Sequence, residues 1–101
     1  MLDRNLYTGL IRLHILHHAV EGPIFGQAMI DELSRHSYRL SAGTLYPILH
    51  GMERQGYLRS RLTLKDGRNR RVYRATPSGR KALVTARRRV QELFGEMFEH
   101  D

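Results

Sequence analysis

The sequence predicts a mainly helical domain that carries one two-stranded β hairpin and ends in a single long helix. Three observations predict it. Ser41 to Gly56 has an apolar stripe of Leu45, Ile48, Leu49 and Met52 at the 3–4 spacing of a half-buried helix. Two strand-like runs, the first alternating leucine with arginine or threonine and the second carrying Val72 and Tyr73, flank Asp66-Gly67, a pair that supplies the positive φ of a tight hairpin turn. Thr76-Pro77 then pairs a capping hydroxyl with a proline at the first helical position, ahead of a long apolar repeat.

The first helix is expected over about Asn5 to Val20. Leu6, Leu10, Leu13, Leu16 and Val20 make one stripe, expected to face the core. Tyr7, Ile11 and Ile15, with His14 and His18, make a second stripe roughly 140° away. Two apolar faces imply burial on both sides, and the second face is expected against another subunit. Glu21-Gly22-Pro23 breaks the chain. A second helix is expected over about Phe25 to His36, burying Phe25, Ala28, Met29 and Leu33.

Ser41 is the expected side-chain cap of the third helix, and Gly56 its stop. Opposite its packed stripe lie Gly43, Pro47, His50 and Arg54, with Tyr46 at the side, and none of these is acidic. Pro47 removes one helical hydrogen bond and crowds the Gly43 carbonyl, leaving an exposed backbone suited to close approach. Strands are expected over Tyr57–Leu64 and Arg70–Ala75. Leu58, Leu62 and Leu64 should pack on one face, and Arg59, Arg61 and Thr63 should lie on the other. The last helix is expected to run to about His100. Leu83, Ala86, Val90, Leu93 and Met97 form its heptad-like seam, with Phe94 and Phe98 beside it. Arg88 and Glu92 are spaced for an i,i+4 ion pair.

Charge sharpens the reading. The chain has 101 residues and a net charge of +7. Thirteen Lys and Arg against only Glu53 and Asp66 fall within residues 41–89, while residues 90–101 hold four acids and no base. A basic middle of this kind is the footprint of a polyanion-binding surface. A helix with one packed stripe and a short non-acidic face, followed by a basic ribbon, suits entry into the major groove of double-stranded DNA. The second helix, turn, third helix and hairpin together describe a winged helix-turn-helix over residues 1–76. The remaining 77–101 form a dimerisation helix.

Other classes are disfavoured. With no cysteine there is no disulfide or thiolate metal site, and a cytoplasmic location is expected. No apolar run is long enough for a membrane span. No nucleophile motif, phosphate-cradling loop or zincin helix occurs, so neither catalysis nor a resident cofactor is expected. His14 and His18 are one turn apart, a spacing that can chelate a metal. No cysteine or acid stands close to them on that helix, so packed interface histidines are expected and no resident metal. His14 and His18 are the candidates should one bind.

Gly43-Thr44-Leu45-Tyr46-Pro47, then Glu53 and Gly56, then Gly67-Arg68-Asn69-Arg70-Arg71-Val72-Tyr73 and Thr76-Pro77-Ser78-Gly79-Arg80, resemble the PadR family of bacterial transcriptional regulators. Phe25-Gly26-Gln27, Val72 and Ala75 depart from the family's usual residues. The resemblance implies a ligand-responsive repressor, of the compact subgroup with a single C-terminal helix. The DNA-contacting residues expected are Ser41, Thr44, Tyr46, Pro47, His50, Arg68, Arg70 and Arg71. The homodimer interface is expected from Tyr7, Ile11, Ile15, Leu83, Val90, Leu93, Phe94 and Met97. A small-molecule or metal effector is expected to act at that interface, lined by Tyr7, Ile11, His14, His18, Phe94 and Phe98. A metal-responsive regulator and a non-specific nucleic-acid-binding protein are the alternatives.

Overall fold

The computed structural model describes residues 1–99, so His100, expected at the end of the last helix, lies outside the described residues. The order of elements is α1 (Arg4–Glu21), β1 (Ile24–Phe25), α2 (Gly26–Arg35), α3 (Ala42–Arg54), β2 (Leu58–Lys65), β3 (Arg68–Ala75) and α4 (Pro77–Phe98). The strands form an antiparallel sheet in the order β1-β3-β2.

The core is built where α1, α2, α3, the base of the sheet and the start of α4 converge. It contains Ile11, Ile15, Leu33, Leu45, Leu49, Met52, Leu58, Tyr73 and Leu83. The face of α1 expected at an interface is therefore interior, and the expected core stripe is divided, with Leu16 buried and Leu6 and Leu10 exposed. Ile11 and Ile15 are 1% and 0% exposed inside their own subunit, whereas Leu6 is 59% and Leu10 42% exposed. Tyr7 packs against the same core. Ile11, Ile15 and Leu83 are thus interior in their own subunit, and Tyr7 is half-buried. Both α1 stripes carry large apolar side chains, and the placement of α2 and α3 decides between them.

Local chemistry explains the ends of the elements. Asp3 caps α1 through its carboxylate, which accepts from the Leu6 amide at 3.0 Å. Thr76 caps α4, with its hydroxyl accepting from Gly79 N at 2.9 Å. Ser41 stands at the N-cap of α3 without a side-chain cap bond: its hydroxyl lies 3.4 Å from the Thr44 hydroxyl, and its carbonyl accepts the first helical amides. The helix continues through Pro47 to Arg54, with Gln55 as its C-cap, after which Gly56 takes φ +85.

The strands run closer to the turn than expected, leaving only Asp66 and Gly67 between them. Asp66 and Gly67 both have positive φ, which matches the right-handed twist of the strands and lets pairing run out to Lys65↔Arg68. A third strand joins the hairpin, with Ile24↔Tyr73 and Phe25↔Val72 in register. Two residues carry no periodicity, so the sequence does not announce this strand. Phe25 consequently sits in β1 and not in α2, Ile24 takes the buried place, and Ala28 is exposed.

Candidate nucleic-acid interface

The site starts from α3. Gly43, Thr44, Pro47, His50 and Arg54 are all exposed on one side of that helix, with Ser41 exposed just ahead of it, while Leu45, Leu49 and Met52 anchor the other side in the core. Tyr46 is half-buried. Its hydroxyl end lies against Gly26, where any β-carbon would collide with it, and its ring centroid is 6.3 Å from that of His50. Tyr46 thus both packs and borders the exposed face. Thr44 and Pro47 wall one side of a shallow cleft, with Met1, Leu2 and Arg4 on the other. Arg4 is a base beside this face that periodicity alone did not single out.

The wing is aimed by a short polar chain. The Glu53 carboxylate, at the end of α3, accepts from Ser60 N at 3.0 Å and Ser60 Oγ at 2.9 Å. Ser60 Oγ in turn accepts from Arg71 Nη1 at 3.2 Å. This bond fixes β2 relative to α3. The signal for it was present in the sequence, since Glu53 and Asp66 are the only acids in residues 41–89.

The strand register divides the arginines. Cross-strand partners share a face, so Arg59, Arg61, Lys65, Arg68, Arg70 and Arg74 lie on one face, and Arg71 lies on the other beside Leu62. Arg68 is exposed next to the turn. Arg70 is half-buried, and its Nε finds no hydrogen-bond partner among the described residues. Lys65 reaches back over the Phe25 ring at 4.3 Å. The expected packing of Leu62 and Leu64 does not occur. They are 60% and 72% exposed, because the outer hairpin projects beyond the core and only Leu58 at its base is covered.

Val90, Leu93, Phe94 and Met97 are exposed along α4. Leu10, Leu13, His14, Val84 and Phe94 line a groove between α1 and α4, so the expected lining by Tyr7 and Ile11 is replaced. His14 and His18 meet α2 of their own chain: the His14 ring stacks 4.9 Å from that of His36, and His18 Nε2 is 3.7 Å from Glu32. Arg88 and Glu92 form no ion pair. Those among the described residues centre on Glu21 and Glu32.

This arrangement defines a winged helix-turn-helix regulator: an anchored helix presenting a non-acidic face, and beside it a basic hairpin held at a set angle. The Transcriptional regulator PadR-like family matches residues 15–85. The chain is 52% identical to the transcriptional regulator Rv3488 of Mycobacterium tuberculosis over 94 residues, covering 93% of this chain and 88% of that protein. A PadR family regulator from Eggerthella lenta superposes with a TM-score of 0.77 at 28% identity, over 96% of this chain and 88% of the other. Bacillus subtilis PadR in complex with operator DNA shares the fold, with a TM-score of 0.67 at 19% identity, over 75% of this chain and 45% of the other. The chain belongs to the PadR-like family of transcriptional regulators. It is a DNA-binding regulator and not an enzyme. No helix among the described residues is long and apolar enough to cross a membrane.

Proposed function

We propose that this regulator is a cytoplasmic, ligand-responsive repressor that binds a palindromic operator as a homodimer. In this reading residues 1–76 contact DNA and 77–101 pair the two copies. The observation that carries it is the exposed, acid-free face of α3 beside the basic hairpin. Thr44, Tyr46 and His50 read base edges, and Pro47 lets α3 sit close to the DNA backbone. Ser41, Arg68, Arg70 and Arg71 supply backbone contacts, which position the protein without carrying sequence information. The structure of a relative bound to operator DNA supports the same use of the fold.

Pairing rests on apolar side chains that a lone chain leaves in water. Val90, Leu93, Phe94 and Met97 of α4 stand exposed, and Leu10 of α1 shares a groove with Phe94. Burying apolar surface yields about 25 cal/mol per Å², so this face favours association. A dimer sets two recognition helices at the roughly 34 Å spacing of successive major-groove half-sites. An apolar effector seated in the α1–α4 groove would bias that spacing and so the affinity for DNA. The test is competition binding of a fragment of the protein's own promoter against bulk DNA. A preference of about 10³-fold or more supports a specific regulator. Equal affinity for both makes the protein a non-specific nucleic-acid binder.

A further inference from the structure

The cluster where α1 meets the C-terminal end of α2 is not used by the proposed DNA contacts. His14 and His18 are one turn apart on α1, and Glu32 and His36 are one turn apart on α2. Antiparallel docking of the helices brings the two pairs together. One ring nitrogen from each of His14, His18 and His36 lies within 4.8 Å of the other two. The Glu32 carboxylate is 3.0 Å from His36 Nε2 and 3.7 Å from His18 Nε2. From these positions we infer that His14, His18, His36 and Glu32 form a divalent-metal site within one subunit, clamping the end of α2 to α1.

The donor set selects the metal class. Three imidazoles and one carboxylate suit zinc and its borderline neighbours, while magnesium and calcium prefer all-oxygen shells. At zinc–nitrogen bonds of about 2.0–2.1 Å, tetrahedral ligands stand roughly 3.4 Å apart. The imidazoles need to close by about an ångström or so, which side-chain rotation supplies. Without a metal, His18 and His36 share Glu32, which Arg35 Nη1 also holds at 2.7 Å. His14 has no such acid partner and instead faces two imidazoles.

The site lies at the turn of the helix-turn-helix. His36 ends α2, and the next residue, Ser37, takes φ +71. Tyr38 then packs its ring edge-on to His14 at 5.1 Å, and Arg39 N donates to the Tyr7 hydroxyl at 3.2 Å. A metal on His36 therefore braces the connection that sets α3 against α1. This differs from the expectation of sensing at a dimer interface, and it holds whether or not the chain dimerises or recognises a palindrome.

Isothermal titration of the full chain with zinc sulfate, in the absence of DNA, tests the site. One zinc per chain is expected. His14→Ala and His36→Ala should each weaken binding by roughly tenfold or more, the loss that follows even from removing a supporting residue. His17, His18 and Glu21 form a second possible donor group nearby, so His17→Ala is the control and should bind as wild type. Hydrogen exchange should slow on zinc addition at the amides of residues 33–40. These histidines are at most half-buried, and circular dichroism checks that each variant is folded. Absence of stoichiometric binding, binding unchanged in His36→Ala, or loss confined to His17→Ala would overturn the assignment.

Discussion

The Glu53 carboxylate holds both the amide and the hydroxyl of Ser60, at 3.0 and 2.9 Å. One side chain at the end of the recognition helix thereby sets the direction in which the wing leaves the body. A carboxylate bond to a partly buried amide is worth about 1.5–3 kcal/mol. Glu53→Ala is expected to lower the unfolding free energy measured in urea by an amount in that range. It should also weaken DNA binding although Glu53 carries the wrong charge to touch DNA. Unchanged stability in that variant would show that the bond does not orient the wing.

Two glycines should respond in opposite ways to alanine. A β-carbon on Gly79 would collide with the Tyr57 carbonyl, which is backbone and cannot rotate away. Gly79→Ala should destabilise by about 1–3 kcal/mol, the usual cost of overpacking. A β-carbon on Gly9, an exposed position within α1, meets nothing within 4 Å. Gly9→Ala should stabilise by up to about 1 kcal/mol through helix propensity. Thermal melts of the two variants beside wild type measure both signs.

Tyr73 gives the fold an alkaline limit. It is fully buried, and its hydroxyl finds no hydrogen-bond partner among the described residues. Burial first, and then the nearby Glu53 charge, push its ionisation above the ordinary 10.0. The folded state thus keeps the phenol protonated where the unfolded chain would ionise it. That contribution to stability is intact below the unfolded value and is lost as pH rises through the folded value. Tyr73→Phe should retain or slightly raise stability at neutral pH, since it removes an unpartnered buried hydroxyl. It should also reduce the fall of the urea midpoint above about pH 10. An equal alkaline fall in both proteins would assign it to other groups.

On DNA, the wing and α3 should contribute differently. Arg68, exposed beside the turn, should lose about one ion equivalent from the salt dependence when replaced by alanine, with equal weakening on all sequences. Alanine at Thr44 or His50 should instead cost about 1–3 kcal/mol of discrimination between sites if each reads a base edge. Titrations at several salt concentrations, on operator and random fragments, separate these effects. Uniform weakening by the α3 variants would remove base reading from that face.

Association should depend on α4 and not on the inner stripe of α1. Leu93→Glu with Met97→Glu alters side chains that are 53% and 56% exposed, so the subunit should stay folded and become monomeric. Ile15→Glu places a charge in the core and should unfold the chain. Sedimentation equilibrium gives the mass, against 11.8 kDa for one chain. A monomeric wild type at micromolar concentration would end the dimer proposal.

Much of this was legible from local patterns. The 3–4 spacing of Leu45, Leu49 and Met52 located α3 and its buried side, Thr76-Pro77 located the start of α4, and Asp66-Gly67 located the turn. These features depend on a few neighbouring residues and on backbone dihedrals that neighbours determine. The sequence by itself therefore determined the helices, the hairpin, the family motif and the concentration of positive charge. Only the tertiary structure decided which apolar face of α1 is interior, that Ile24 and Phe25 extend the sheet, that Leu62 and Leu64 stay in water, and that His36 and Glu32 stand opposite His14 and His18. Each of these depends on contacts between segments distant in the chain. A helical or alternating pattern shows that a face is apolar, but it carries no information about what the fold will place against it.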